Sequence, residues 1–237
     1  MITKIFGPPG TGKTTTLLNH VKNFILNEKI DPKKIGYFAF TKKAAREAKE
    51  RLLKDKEVSH LLTKDDLENF RTLHSFAFQT ISMSEDRVMQ SEHYEQIGRD
   101  LNLRVTDGGD ESGYLSFNSE YFKLINKARV KNISVEEEFN SNEWSREIDY
   151  ETLGHIYLNY NNFKKNNTLY DFNDMIDLFV KKKNDCQELE YIFIDEAQDL
   201  SPIQWNMFDV LKTKCKHLFL AGDDDQAIFA WAGADVE

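Results

Sequence analysis

The chain has few cysteines and no long apolar run, and each shortage narrows the class of protein. Its 237 residues include two cysteines, Cys186 and Cys215, whose spacing matches no metal site. We therefore expect reduced thiols in a cytosolic protein. No apolar run approaches the length that spans a bilayer, and the start, MITKIFGPPG, lacks the apolar core of a secretory signal. These absences predict a cytoplasmic protein with no membrane partner.

Positive charge is also in short supply. The chain carries 31 Lys and Arg against 40 Asp and Glu, which gives a formal net charge of −9. This balance excludes binding of nucleic acid by general electrostatic attraction, although a local basic groove is compatible with it. A hydrophobic content of 40% with 30% charged residues is typical of a soluble protein, and the length suggests one or two domains.

The first motif that is present lies near the start of the chain. Ile2–Phe6 is predicted as a strand, Gly7–Thr14 follows as G-x-x-x-x-G-K-T, and a helical pattern begins at Leu17. This context predicts a phosphate-binding loop, because glycines let backbone N–H groups approach the phosphates and the helix N-terminus adds its dipole. Lys13 is expected to reach the β- and γ-phosphates, and the Thr14 hydroxyl to ligate Mg²⁺. The expected nucleotide-binding residues are Gly7, Pro8, Pro9, Gly10, Thr11, Gly12, Lys13, Thr14 and Thr15.

A pair of acids follows a second strand pattern. Tyr191–Ile194 is uniformly apolar, which favours a buried parallel strand. Asp195 and Glu196 stand at its carboxyl end, where ligands bind in open α/β sheets. Asp195 suits the Mg²⁺ of a nucleotide hydrolase, and Glu196 is placed to orient or deprotonate the attacking water. Pro202 is predicted to start the next helix.

A GTPase is an alternative for any such loop. Thr63-Lys64-Asp65-Asp66 matches a guanine-reading T-K-x-D pattern, but it precedes an apolar helical run and fits a helix N-cap with a capping box. Asp195 begins Asp-Glu-Ala-Gln-Asp rather than a D-x-x-G switch. The first observation favours a helix start at Thr63, and both observations argue against recognition of guanine.

The stretch His217–Ala234, HLFLAGDDDQAIFAWAGA, joins a strand pattern to an unusual loop. Leu218–Ala221 is an apolar run, and the chain then breaks at Gly222 into three acids, an amide and two aromatics. An acid-and-amide loop at a strand's end suits a phosphate and its metal, and aromatics beyond it suit stacked bases. The stretch therefore predicts a device that couples a nucleotide to a nucleic acid.

Six motifs occur in order along the chain. They are GPPGTGKTT, FAFTKKAARE from Phe38, TLHSF from Thr72, DFNDM from Asp171, IDEAQDLSPIQW from Ile194 and AGDDDQAIFAWAGAD from Ala221. In this order they resemble motifs I and Ia, the T-x-H-S-F and D-F-x-D motifs, and motifs II and III of the UvrD/Rep/PcrA group of superfamily 1 helicases. The resemblance implies an ATP-dependent DNA helicase or translocase that moves on single-stranded DNA from 3′ to 5′, with ATP and Mg²⁺ as cofactors.

The resemblance also implies roles for the matched residues. Gln226 would sense the γ-phosphate, aromatic side chains would face bases, and the remaining polar residues would follow the strand's backbone. Base stacking on aromatics is worth about 1–3 kcal/mol per base and tolerates any sequence, as a motor on single-stranded DNA or at single–double strand junctions requires. The expected catalytic residues are Lys13, Glu196 and Gln226. The expected DNA-binding residues are Phe40, Thr41, Lys42, Thr72, His74, Phe229 and Trp231.

Some of these residues also fit a purely structural role instead of DNA binding. Phe40 and Trp231 also fit as core aromatics. The helix after Phe40 carries basic residues that either form a local basic track or belong to a solvated helix in which Glu47 and Glu50 interleave. Those basic residues are Lys42, Lys43, Arg46, Lys49, Arg51 and Lys54.

The resemblance predicts an α/β fold, a RecA-like P-loop NTPase domain with a parallel central sheet that a mainly helical subdomain interrupts. We expect residues 1–83 and 168–237 to form the RecA-like domain (1A) and 84–167 to form the insertion (1B-like). Helical patterns cover Val88–Leu101, Tyr121–Val130 and Tyr150–Phe163, Asp107–Gly113 is loop-like, and most of the insertion's aromatics are expected to build its own core. Those aromatics are Tyr114, Phe117, Tyr121, Phe122, Trp144, Tyr150, Tyr157 and Tyr160.

The chain departs from the family's pattern in three ways. It has no adenine-reading glutamine segment before Gly7, Ala232 replaces the arginine of Trp-Arg-Gly, and motifs IV to VI have no counterpart. Those last motifs supply arginines, and an arginine finger is worth about 10³–10⁵ in rate. We therefore expect the N-terminal ATP-binding portion of a longer protein, weakly active without its second RecA-like domain (2A). Two alternatives stay open: the helicase part of an AddA- or RecB-like helicase–nuclease, and a non-motor P-loop ATPase switch.

Overall fold

The computed structural model describes residues 1–105, 107–109, 115–141, 144 and 148–223. Among the described helices, none combines the length and apolarity needed to cross a bilayer. In chain order the elements are β1 (Ile2–Phe6), α1 (Lys13–Leu26), β2 (Ile35–Phe38), α2 (Lys42–Lys54), β3 (Phe70–Arg71), α3 (Leu73–Thr80), α4 (Ser91–Asp100), β4 (Asp107–Gly109), β5 (Leu115–Phe117), α5 (Glu120–Lys131), α6 (Val135–Phe139), α7 (Tyr150–Asn167), α8 (Phe172–Lys181), β6 (Leu189–Ile194), α9 (Pro202–Thr213) and β7 (Cys215–Gly222).

Five of the described strands form one parallel sheet in the order β1-β7-β6-β2-β3. The register pairs Phe6 with Gly222, Leu220 with Ile194, and Ile194 with Phe38. The carboxyl ends of the strands therefore meet at one edge, which is where open α/β sheets bind ligands. This arrangement confirms the predicted α/β class with a parallel central sheet.

Strands β6 and β7 are apolar on both faces because helices cover both faces of the sheet. Ile192 and Leu218 are fully buried in the apolar cluster that includes α3, α8 and α9. Phe193 and Phe219, one position further along each strand, belong to the opposite cluster with α1 and α2. Successive side chains of a strand point to opposite faces, so a parallel strand buried on both sides lacks polar alternation. The sequence prediction of buried parallel strands is confirmed.

A third apolar cluster is drawn from residues 89–169 and lies among α4, α5 and α7. The helical patterns predicted for this region are confirmed, although α4 begins at Ser91 rather than Val88. Phe117, Phe122 and Tyr160 are buried in this cluster, as predicted, whereas Tyr150 is half exposed. The limits 84 and 167 of the insertion stay predictions.

The helix predicted after Thr63 is wrong, although its capping contacts are present. The Asp66 carboxylate accepts hydrogen bonds from the Thr63 backbone N–H at 2.8 Å and the Thr63 hydroxyl at 2.6 Å. Residues 64–69 form turns, and Phe70 then pairs with Tyr37 in the sheet. Pairing with the sheet overrides the local helical pattern.

The loop predicted over Asp107–Gly113 is wrong at its start. Asp107–Gly109 forms β4, which pairs antiparallel with β5. The two glycines disfavour a strand by composition, but the pairing with Leu115–Phe117 supplies the backbone hydrogen bonds that hold it.

An ion cluster joins α5 and α7 to α8. Arg129 on α5 contacts Asp174 at 2.8 Å and Asp177 at 3.1 Å, and Lys164 on α7 contacts Asp171 at 2.6 Å and Asp174 at 2.7 Å. Burial alone would raise the pKa of Asp171, but the charges of Lys164 and Arg129 and the hydrogen bond from Lys164 outweigh it and hold that pKa well below its usual range. We call these five residues the buried ion cluster.

Candidate nucleotide site

The loop between β1 and α1 has the backbone that its glycines allow. Gly10 and Gly12 lie at φ values of 81° and 85°, a left-handed conformation that L side chains rarely adopt. Gly12 is the residue from which α1 starts, so the first backbone N–H groups of that helix open onto the loop. The sequence motif therefore corresponds to a real strand–loop–helix turn with its donors at a helix N-terminus.

The Lys13 ammonium is buried and held inside this loop. Its Nζ donates to the carbonyl oxygens of Gly7 at 2.6 Å and Pro8 at 3.3 Å, and it forms an ion pair with Asp223 just beyond β7. Lys13 is only 7% exposed, so this set of oxygens replaces its hydration. An incoming phosphate would meet a lysine that already has an anionic partner.

Asp195, at the end of β6, receives two hydroxyl groups on one oxygen. The Thr14 Oγ1 donates to Asp195 Oδ2 at 2.8 Å, and the Tyr37 hydroxyl donates to the same oxygen at 2.6 Å. Burial, followed by the Asp195 charge and hydrogen bond, raises the pKa of Tyr37 far above its usual range, so this hydroxyl stays protonated. The predicted metal pair, Thr14 and Asp195, is therefore brought together.

Glu196 follows with a left-handed backbone and a fixed carboxylate. Its φ is 54°, and its Oε2 accepts a hydrogen bond from Gln198 Nε2 at 2.7 Å. The Oε1 of the same Gln198 accepts from the Asp223 backbone N–H at 3.1 Å. Since Asp223 also pairs with Lys13, one connected set of contacts runs from the loop lysine to Glu196.

Comparison with known proteins matches the sequence of this chain to one family. A sequence profile described as UvrD/REP helicase N-terminal domain matches residues 2–237. The chain belongs to the UvrD/REP helicase N-terminal domain family. It is 30% identical to a probable DNA helicase II homolog of Mycoplasma genitalium, in an alignment that covers 97% of this chain and 34% of that protein.

Two further relatives are also much longer proteins than this chain. The ATP-dependent DNA helicase PcrA of Staphylococcus aureus is 27% identical over 98% of this chain and 32% of its own length. The ATP-dependent DNA helicase Rep of Buchnera aphidicola is 26% identical over 98% of this chain and 35% of its own length. The chain therefore spans about a third of the length of these curated relatives.

Some residues that the family resemblance assigns to DNA lie at the same edge of the sheet. Thr41 follows β2 and accepts the Ala44 backbone N–H at 3.0 Å, so it caps α2. Thr72 follows β3 and accepts the Ser75 backbone N–H at 3.2 Å, so it caps α3. Two helix N-termini thus lie at neighbouring strand ends, beyond the end of β6 that carries Asp195.

The other residues assigned to DNA differ in exposure. Phe40 is half-buried, and Lys42, the first residue of α2, is exposed. His74 meets the ring of Phe172 edge-on at 5.6 Å, and burial lowers its pKa to about 4 against a small opposing effect of Asp171. His74 is therefore neutral at pH 7. Gln226, Phe229 and Trp231 lie outside the described residues.

Sequence reasoning missed three residues at this site. No sequence motif singled out Tyr37, and Gln198 and Asp223 entered only as members of motifs. The available signal was the tyrosine itself, because a buried hydroxyl needs a hydrogen-bond partner. The partner could not be named, since Tyr37 and Asp195 are 158 positions apart.

Proposed function

We propose that this chain is the ATP-binding N-terminal portion of an ATP-dependent DNA helicase or translocase that moves on single-stranded DNA from 3′ to 5′. The observation that carries the proposal is the contact of Thr14 with Asp195 beside the phosphate-binding loop, in a chain of the UvrD/REP family. Its relatives are named ATP-dependent DNA helicases. The short helix starts at Thr41 and Thr72 suit a nucleic-acid backbone at the neighbouring strand ends.

The residues present fit a magnesium–nucleotide complex. Within the described residues no three His, Cys, Asp or Glu side chains form a metal-binding group. Thr14 and Asp195 supply two oxygen ligands, and Mg²⁺ in nucleotide sites is typically held by one or two protein groups together with phosphates and water. When bound, Mg²⁺ would neutralise charge that develops on the phosphates. The proposed nucleotide-binding residues, Gly7 to Thr15, form the loop and helix start that carry Thr14.

Two of the chemical roles fall to described residues whose positions suit them, Lys13 and Glu196. Lys13 binds the β- and γ-phosphates, and the N-terminus of α1 directs its N–H groups to them. Glu196 orients the attacking water or accepts its proton, and the hydrogen bond from Gln198 holds its carboxylate. Gln226 senses the γ-phosphate, by resemblance to the family.

The order of strands suggests how the nucleotide and DNA would be coupled. The loop after β1, the end of β7 and the acids after β6 are successive neighbours, and Thr41 and Thr72 follow at β2 and β3. Phe40, Phe229 and Trp231 would face bases, whereas Thr41, Lys42, Thr72 and His74 would lie along the backbone. A neutral His74 would donate a hydrogen bond to phosphate without adding charge.

The activity of a whole helicase needs more than this portion. The chain spans about a third of its relatives, and we propose that a second RecA-like domain completes the site with arginines. Residues 1–237 alone should bind Mg²⁺–ATP weakly, hydrolyse it slowly and fail to unwind duplex DNA.

The test compares ATP hydrolysis by the full-length protein with and without single-stranded DNA. We expect strong stimulation by DNA, because Thr41 and Thr72 lie at the same sheet edge as the nucleotide-binding residues. Indifference to DNA would favour a nucleotide switch, and duplex unwinding by residues 1–237 alone would contradict the two-domain proposal.

The contact between Asp223 and Lys13 predicts that removing the Asp223 charge increases the affinity for ATP. Replacing Asp223 with Asn should tighten the binding of ATP in the absence of metal, because a phosphate would no longer compete with an internal carboxylate for Lys13. The measurement is the dissociation constant for ATP in the presence of EDTA.

A second variant tests whether the change in ATP affinity comes from this contact or from the loss of one negative charge near the site. Asp199→Asn removes the same charge from the segment after Glu196 without a contact to Lys13, and should change the affinity less. Equal or weaker ATP binding by Asp223→Asn would contradict the competition.

A further inference from the structure

The buried hydroxyl of Tyr37 has one hydrogen-bond partner in a functional position. Tyr37 lies on β2, is fully buried, and donates to Asp195 Oδ2 at 2.6 Å. Its ring stacks on Phe70 with centroids 5.3 Å apart and lies 6.5 Å from Phe193. These rings fix the direction of the phenol, so the hydroxyl is held against the end of β6.

The Asp195 carboxylate is restrained at both of its oxygens. Oδ2 receives the hydroxyl groups of Tyr37 and Thr14, and Oδ1 lies 3.2 Å from the backbone N–H of Glu196. In the proposed complex Thr14 also ligates the cation, so its hydroxyl serves two partners. Within the described part of the chain, the Tyr37 hydroxyl donates to Asp195 alone.

We infer that Tyr37 is a positioning residue that fixes the Asp195 carboxylate for a divalent cation bound with a nucleotide. The inference rests on the proposed function, because Asp195 must be the metal carboxylate. A buried tyrosine that served only packing could satisfy its hydroxyl with a backbone carbonyl. Here it meets a carboxylate that also accepts a hydrogen bond from Thr14 of the phosphate-binding loop.

The test removes the hydroxyl and retains the ring. Tyr37→Phe should raise by about 10-fold or more the Mg²⁺ concentration needed for half-maximal binding of a fluorescent ATP analogue, as expected when the partner of a metal ligand is lost. Its affinity for the same analogue in EDTA should match that of the unmodified chain, because the loop that binds phosphate is unchanged. Both titrations use the full 237-residue chain and need no hydrolysis.

A matched control sits on the adjacent strand. Tyr191→Phe removes a hydroxyl that donates to Glu28 at 3.0 Å, while its ring keeps the stack on Phe24, and it should leave the Mg²⁺ titration unchanged. An unchanged Mg²⁺ titration in Tyr37→Phe would overturn the inference. Loss of binding in EDTA would also overturn it, since it would assign Tyr37 a purely structural role.

The variant Asp195→Asn distinguishes a failure of this inference from a failure of the proposed function. We expect this variant to lose most of the Mg²⁺ dependence of nucleotide binding. If it keeps the full dependence, Asp195 is not the metal carboxylate and the proposed metal site fails. If it loses the dependence while Tyr37→Phe behaves like the unmodified chain, the proposed function stands and only the role of Tyr37 is wrong.

Discussion

Replacing Glu196 with Gln should lower ATP hydrolysis by the full-length protein by about 10²–10⁴-fold, the contribution typical of a general base. Glutamine keeps the size of the side chain but cannot accept the proton of the attacking water. Binding of Mg²⁺–ATP should persist, because Lys13, Thr14 and Asp195 are unchanged. Single-turnover hydrolysis and equilibrium binding of the same preparation give the two quantities.

Glu190 provides the control on the same strand. It lies near the start of β6, away from the edge that carries Asp195, and pairs with Lys216 at 2.8 Å. Glu190→Gln makes the same chemical change and should hydrolyse ATP at the normal rate. A Glu196→Gln protein that hydrolyses ATP nearly as fast as the unmodified protein would remove Glu196 from the proposed chemistry.

The parts of the site that could be predicted are those set by short stretches of sequence. The loop Gly7–Thr14 is local, since glycines, a lysine and a helix start within eight positions define its backbone. The strand before Asp195 was also predictable, because uniform burial leaves a continuous apolar run. Each of these features depends on neighbours along the chain.

The contacts between distant residues could not be predicted in the same way. Asp223 reaches Lys13 only because β7 pairs with β1, and Tyr37 reaches Asp195 only because β2 pairs with β6 in one register. A slip of one residue would turn Tyr37 to the opposite face of the sheet. Strand order and register are properties of the whole sheet, so these partners appear only in three dimensions.

The helical region that carries the third apolar cluster, residues 89–169, also combines local features that could be predicted with distant contacts that could not. Periodic apolar residues predicted α5 and α7, because a helix face repeats within each segment. The partners of Arg129 and Lys164 could not be found this way, since the three acids at the N-cap and along α8 come to them from 7 to 48 positions away. Helical periodicity defines a buried face but says nothing about which charge will lie against it.

Replacing Arg129 with Met should lower the free energy of unfolding of the chain by about 3–5 kcal/mol, the cost of breaking a buried ion pair from one side. Arg129 is 16% exposed and faces Asp171, Asp174 and Asp177, and its loss leaves Lys164 as the ion-pair partner of the first two. Urea denaturation of the two proteins measures the difference. Arg99→Met, which removes an exposed arginine 3.9 Å from Glu95, should change the stability little.

The effect of Arg129→Met should also depend on pH in a defined direction. The pKa of Asp171 in the folded protein lies below the unfolded value of about 3.9, so its ionised form stabilises the protein above about pH 4. That contribution is lost as the pH falls towards the folded pKa. The difference in the free energy of unfolding between the two proteins should therefore narrow below pH 4. Adding Asp171→Asn to the Arg129→Met variant should restore part of its stability, because one uncompensated carboxylate is gone. A constant difference across this range, with no recovery in the double variant, would show that Arg129 stabilises the protein through packing of its stem rather than through the buried ion cluster.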